Sequence, residues 1–526
     1  MKGICLLLFC WLSTFSVISA QTESIPFDIE LEEITFNDWT GLHSFAFAEW
    51  NGYWFFVAGR SNGLHGFFPF TGFPESSANH QIWMMDVASG NYWQQDIRSL
   101  PNPIAEALQA SNPQYVQKDG FLYVVGGYGK SKDTDSFVTF PYLTALNLEM
   151  LTNLMLAEQS VLPAIQQLED ERMRVCGGEM LALGERFYLF GGHDFAGLYS
   201  QTGLPTFTQM YTNEVRVFAV EHADVGLQIS NYEALQDTEN YHRRDGSFAP
   251  LIQANGDAAL GYYGGVFRYD KDIPFFNPVY INGDGVEMDP TYEQQMSHYT
   301  CPILPVFDAA TGNMFSTFFG GLSFHYFDRE KDKMVTDSLV PFIDDITTLI
   351  HFADGHSTEV VLPLEFDDLL GTNAKFILDQ AAPHYDNKVI RLEEIEGRTR
   401  VGYIFGGIKA LFANITPSSA SNRLFEVYLT PKIVDAIDKE TAANWHTHVY
   451  PNPFEGNINI EIEGIADVQH LALKDIRGQK LFEENGPILT SMIDFLEKRL
   501  KELTAGVYLL QLQRKTGTEI HKIVKM

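Results

Sequence analysis

Along this chain, short apolar runs alternate with polar turns, and six of the runs end the same way. The clearest is Phe121–Gly127, five apolar β-formers closed by Gly126-Gly127. Related runs are Tyr53–Gly59, Phe187–Gly192, Leu260–Gly265, Phe315–Gly321 and Val401–Gly407, the first with Ala58 in place of the leading glycine. The closing glycines are spaced 68, 65, 73, 56 and 86 residues apart, a loose period that marks an array of one supersecondary unit. A continuous run of β-branched and aromatic residues suits a strand buried on both faces. Turn dipeptides such as Asn51-Gly52 and Asp119-Gly120 precede the runs and predict an antiparallel partner upstream. Downstream, Gln81–Val87, Glu214–Val220, Phe324–Asp328 and Leu424–Leu429 read as third strands. Phe27–Phe36 alternates apolar with acidic residues, as an outer strand with one wet face does.

The chain has 526 residues, 45% hydrophobic and 13% aromatic, ample for a large core. Its formal charge of −32 argues against binding a phosphate backbone and is in keeping with a soluble exported protein. Residues 1–20 read as a signal peptide: Lys2, an apolar stretch, then Ile18-Ser19-Ala20. No later stretch is long and apolar enough to span a membrane. Cys5 and Cys10 leave with that peptide. Cys176 and Cys301 remain, each before the first strand of a different repeat, and are expected as free buried thiols.

The strand–turn–strand–Gly-Gly pattern over roughly residues 25–431 resembles the kelch family of β-propellers. The resemblance implies an all-β fold, with residues 21–431 as a six-bladed kelch-like propeller. The last repeat has room for only three strands between about residues 383 and 431, so residues 27–36 are expected to complete it and close the ring.

In such a ring, residues before each first strand and after each glycine pair share one rim. The candidates there are His43, Arg60, Tyr128, Arg174, His193, His242, Arg243, Arg244, Arg268, His298, Tyr299, His384, Tyr385 and Lys409. Arg and His gathered on an acidic protein suit an anion or a sugar acid, and equally suit loop carbonyls that need donors. The loops after the glycine pairs carry many aromatics, including Phe67, Phe68, Phe70, Phe73, Phe195 and Tyr199, which serve either a glycan or surface-protein partner or the packing of the loops themselves. Asn282, Asp284 and Asp289 alternate as in part of a calcium loop, without its flanking helices or terminal glutamate. No catalytic signature is present, so binding without chemistry is the first expectation. A carbohydrate-active enzyme akin to the sugar-acid epimerases of the kelch type is the alternative, and an adhesion or matrix role a third.

Residues 432–446 read as a linker, and from 447 the character changes. Tyr450-Pro451-Asn452-Pro453 opens a small β-rich module, and Gly506-Val507-Tyr508 sits in a late strand before a basic end. This order resembles the type A sorting domain of type IX secretion, here over residues 447–526 and expected as a β-sandwich. The resemblance implies the type IX machinery as a partner, and delivery to the exterior or outer surface of a double-membraned bacterium. Apolar positions 493, 496 and 500 predict a short helix within Ser491–Glu502.

Overall fold

The computed structural model describes residues 25–34, 39–69, 71–200, 206–223, 226–414, 417–432, 447–462, 465–475, 480–486, 488–514 and 517–526. The expected signal peptide, Phe70, the last two residues of the expected outer strand and residues 433–446 of the expected linker lie outside them. The chain divides into two compact units, Met1–Pro431 and Lys432–Met526. The protein is predominantly β, and among the described residues no helix is long and apolar enough to cross a membrane.

The first unit contains six antiparallel meanders of four strands, one per repeat. The first sheet runs Ala46–Trp50, Tyr53–Val57, Gln81–Asp86, Tyr92–Asp96, and the second Gln114–Lys118, Phe121–Val125, Tyr142–Asn147, Ile165–Glu169. The third comprises Glu179–Leu183, Arg186–Phe190, Glu214–Ala223 and Gly226–Gln236, and the fourth Ser247–Ile252, Ala258–Tyr263, Val279–Asn282 and Gly285–Met288. The fifth is built from Ile303–Asp308, Asn313–Leu322, Phe342–His351 and Ser357–Glu365, with Ile390–Arg391 added in parallel beside its first strand. In the sixth, Ala374–Leu378, Thr399–Gly406 and Leu424–Pro431 are followed by Phe27–Ile34, which pairs in register from Phe27 with Pro431 to Ile34 with Leu424.

Two boundaries differ from the sequence reading. Phe324–Asp328 does not supply the fifth sheet's third strand. His325–Asp328 turns back on Lys333–Thr336 as a separate hairpin, and Phe342–His351 takes the place. The sixth sheet accordingly begins at Ala374, not near residue 383. The intervening hairpins carry no glycine pair, so the repeat signal is silent across them.

The doubly apolar second strands pack both ways. Phe55 and Leu122 share a cluster, as do Phe319 and Ile404. Tyr123 meets Phe187 at 5.1 Å, Phe190 stacks on Tyr262 at 4.0 Å, and Tyr263 meets Phe318 at 5.0 Å. Phe405 of the sixth sheet meets Phe56 of the first at 4.9 Å.

The glycine pairs sit at these junctions. The second glycine's N–H donates to a carbonyl that precedes the next sheet: Gly59 to Ala110 (2.9 Å), Gly127 to Val175 (2.8 Å), Gly192 to Arg243 (2.7 Å), Gly321 to Leu370 (3.0 Å) and Gly407 to Leu42 (2.9 Å). Both glycines hold positive φ, 62° and 87° at Gly126 and Gly127, and a Cβ on Gly126 would overlap the Val175 oxygen. Ala58 adopts the same conformation, φ 61°.

The second unit has a four-stranded sheet in the order Lys480–Asn485, Val468–Asp475, Gly506–Arg514, Gly517–Lys525 and a two-stranded ribbon of Thr447–Tyr450 with Asn459–Ile462. The helix Thr490–Glu502 buries Ile493, Leu496 and Leu500 against both. It takes part of the layer that a two-sheet sandwich would fill with strands alone.

Gly126→Ala is expected to destabilise the first unit by about 3 kcal/mol or more, since the left-handed conformation alone costs an L-residue roughly 1–2 kcal/mol and the Cβ has no room. Ala58→Gly, which relieves that strain but frees the unfolded chain, should stay within about 1 kcal/mol of the parent. Urea denaturation of the two variants measures the difference, and equal losses would contradict the junction account.

Candidate functional site

The backbone builds the site directly at those junctions. In five sheets the residue after the second glycine forms an isolated antiparallel bridge with the residue three or four before the first strand: Arg60 with His43, Tyr128 with Ser111, His193 with Cys176, Val266 with Arg244, Leu322 with Tyr299. In the sixth, Ile408 N donates to Thr372 O at 2.8 Å. All twelve residues line one cavity of about 850 Å³. The loops that follow add Leu64, His65, Phe67, Phe73, Tyr199, Gln209 and Phe267.

The electrostatics differ from a cluster of positive charges. Burial and the Arg60 guanidinium hold His43 down at about 3, and burial also keeps His65 below and His193 well below the ordinary histidine range. At neutral pH these histidines are uncharged hydrogen-bonding groups. Gln209 Nε2 donates to His193 Nδ1 at 2.6 Å. Arg244 is neutralised by Asp245 and donates to the hydroxyls of Tyr211 (3.1 Å) and Tyr299 (3.3 Å), while Tyr299 donates to Asp245 at 2.9 Å. Arg60 donates to Asn62 Oδ1 (3.0 Å) and Pro74 O (2.6 Å) and lies 5.4 Å from the Phe73 ring centre. It has no ion-pair partner among the described residues, and burial lowers it to about 10, so it stays charged at pH 7. Three atoms of lining residues, His43 Nε2, Asn112 Oδ1 and Thr372 Oγ1, are buried without a hydrogen-bond partner among the described residues.

Of the sequence candidates, the cavity gathers Arg60, Tyr128, His193 and Arg244, together with His43 and Tyr299. The others are elsewhere, Arg243, His298 and Lys409 by one residue of register, because successive side chains in extended backbone point opposite ways. Arg243 is fully buried behind the wall, donating to the carbonyls of Asn240 (2.7 Å), Gly264 (3.2 Å) and Asn277 (2.8 Å). His298, also buried, bonds Gly320 O (3.0 Å) and Thr347 Oγ1 (2.6 Å). Lys409, next to the lining Ile408, donates to Asp368 at 2.8 Å. Arg174 pairs with Glu171 (2.7 Å) and Thr139 O (2.7 Å), and Arg268 with Asp270 (3.1 Å). Tyr385 follows the sixth sheet's first strand and lines a second cavity, of about 960 Å³, with Tyr115, Glu179 and Lys375. Sequence reasoning missed Thr372 and Asn112. Thr372 follows from the correct start of the sixth sheet; Asn112, beside the bridging Ser111, has no signal of its own.

The calcium candidates do not converge. Asn282 Oδ1 accepts from Asp284 N at 2.9 Å in a hairpin turn, and Asp289 Oδ1 accepts from Thr291 N (2.8 Å) and its hydroxyl (2.6 Å). Among the described residues the carboxylates that do cluster are Asp344, Asp345 and Glu365, with Arg329 as their counter-charge. Cys176 and Cys301 are free and buried, and burial pushes both thiols up to about 12.

In the second unit the Tyr-Pro-Asn-Pro motif fastens the last strand. Asn452 Nδ2 donates to Lys522 O (2.5 Å), its Oδ1 accepts from Val524 N (2.8 Å), and Phe454 exchanges backbone bonds with Val524 and Met526 (2.9 and 3.0 Å). Lys525 Nζ donates to the helix-end carbonyls of Lys501 (2.5 Å) and Leu503 (2.7 Å), where a cation is favourable. Tyr508 donates to Thr504 O at 2.6 Å.

Two outcomes follow from these contacts. His43 and His298, the latter held at about 4 by burial, stay neutral in the folded protein as pH falls from about 6.5 towards 4, while the unfolded chain takes up their protons. Their contribution is therefore complete above about 6.5 and is lost on acidification, by roughly 1.4 kcal/mol per pH unit for each. Denaturation at stepped pH should show a shallower loss in His43→Asn than in the parent; identical slopes would refute the assignment. Asn452→Ala should weaken the second unit by about 1–2 kcal/mol through its two lost bonds to the final strand, read as an earlier thermal transition for that unit.

A search among curated proteins finds no relative of this chain. Residues 448–526 match the family described as the secretion system C-terminal sorting domain, so the tail marks this protein for the type IX secretion machinery and for the exterior or outer surface of the cell.

Proposed function

We propose that the first unit is a six-bladed kelch-like β-propeller, carried outside the cell by its sorting domain, that binds a carboxylate-bearing glycan in the 850 Å³ cavity. Support for the ring comes from the sequential junctions, which return from Gly407 to Leu42. The observation that carries the binding reading is the lining itself: equivalent positions of all six sheets converge on one space that holds a buried guanidinium, Arg60, with no ion-pair partner among the described residues. A buried unpaired charge is costly, and an incoming carboxylate both compensates it and uses the planar fork of donors. Phe67, Phe73 and Tyr199, the more exposed aromatics of the lining, are the rings against which a sugar would pack.

A glycan array probed with the purified full chain should show retention of acidic sugars. Arg60→Gln should weaken that binding at least tenfold, the worth of a hydrogen bond to a charged group. Arg268→Gln, a cation outside the cavity, should leave it unchanged. Retention that survives Arg60→Gln, or an array with no retained acidic sugar, would overturn the reading.

A further inference from the structure

The loops bordering the cavity pose a separate problem. Phe67, Phe68, Leu339, Leu411 and Phe412 are 41% to 71% exposed, although the chain has polar and charged residues in abundance for such positions. They stand on three neighbouring loops, after the glycine pairs of the first, fifth and sixth sheets. Those loops are tied to one another: Leu64 N donates to Ser418 Oγ (2.9 Å), Asn414 Nδ2 to Asp337 Oδ2 (2.8 Å) and Phe342 N to Ala413 O (2.9 Å). Beneath them Leu64, Leu322, Phe342 and Ile408 form one apolar cluster. Phe67 and Leu339 also line the cavity, so the apolar arc continues into the polar interior. Exposed apolar surface gathered at the mouth of a cavity marks a binding surface.

Three ligand types can be weighed against this surface. A free sugar acid would meet Arg60 but leave the arc in water. A simple hydrocarbon would cover the arc but leave the guanidinium without a counter-charge. One molecule satisfies both regions if it has an anionic head and an apolar tail. We infer that the ligand is an anionic amphiphile, a carboxylate-bearing sugar headgroup seated beside Arg60 with an acyl or alkyl chain running out over Phe67, Phe68, Leu339, Leu411 and Phe412. The headgroup half of this inference rests on the cavity reading above. The chain's charge of −32 disfavours docking on an anionic bilayer, so the amphiphile is taken up as a single molecule.

The test compares three probes on the full chain by titration calorimetry, each below its micelle-forming concentration: glucuronate, dodecyl β-D-glucuronide and dodecyl β-D-maltoside. The alkyl glucuronide should bind at least about tenfold more tightly than glucuronate, the worth of two buried methylenes. The triple variant Phe68→Ser, Leu411→Ser, Phe412→Ser, all at exposed positions outside the cavity lining, should erase that gain and leave the glucuronate affinity as it was. Arg60→Gln should weaken both glucuronides and spare the maltoside. Equal affinity for glucuronate and its dodecyl form would overturn the amphiphile inference and leave the cavity reading intact. Maltoside binding as tight as that of the alkyl glucuronide would overturn the anionic headgroup. Absence of binding by both glucuronides would overturn the inference together with the cavity reading.

Discussion

One backbone contact, repeated at five of the six sheets, ties the first unit together: an N–H after a left-handed turn, given to a carbonyl just ahead of the next sheet. A sheet of four strands cannot bury both of its faces alone. Its second strand, apolar on both sides, needs a neighbour at each face, and the glycine pair sets how near that neighbour's backbone comes. The carbonyl of Val175 occupies the place where a side chain of Gly126 would be. Close approach and positive φ are thus demanded at the same residue, and glycine meets both demands at no steric cost. The last of these contacts, Gly407 to Leu42, joins the two ends of the array, and the pairing of Phe27–Ile34 with Leu424–Pro431 does so a second time through a full strand. Breaking either would expose apolar faces on the sixth and first sheets.

The cavity is a by-product of the same contact. Once the second glycine is pinned, the following residue pairs with the segment entering the first strand, and its side chain has one direction left. That is why Arg60, Tyr128, His193, Val266, Leu322 and Ile408, which share no chemistry, share one space. The scaffold fixes where these side chains are and leaves their identity open.

The repeat was legible in the sequence because its cause is local. A run such as Phe121–Gly127 encodes strand, turn and junction within seven residues. The N-terminal strand was legible for a different reason: its alternation is that of an edge with one wet face. The fifth and sixth sheets were misplaced by the hairpin His325–Thr336 and the long strands after it, which carry no glycine pair. The site was half legible. Position along the chain identified the segments that reach the cavity, but choosing Arg243 over Arg244, or His298 over Tyr299, depends on a register that composition does not contain. Nor does composition show that burial strips the histidines of their charge, so an apparently basic rim is instead a chamber whose two arginines, Arg60 and Arg244, share it with two aspartates, Asp245 and Asp272, Arg60 having no ion-pair partner among the described residues.

The adjacent pair Arg243 and Arg244 shows how the two duties are kept apart. Arg243 spends its guanidinium on three loop carbonyls and its own carbonyl on Gly192, and it touches nothing in the cavity. Arg244, one residue on, contributes a single backbone bridge to Val266 and turns its side chain to the Asp245–Tyr299 network. Scaffold and lining alternate along the strand entrance at a spacing of one residue. Substitutions at the lining positions therefore change the chemistry of the cavity without touching the bonds that hold the sheets together, while substitutions at their neighbours do the reverse. An array built this way can keep its architecture while its chemistry is rewritten one side chain at a time.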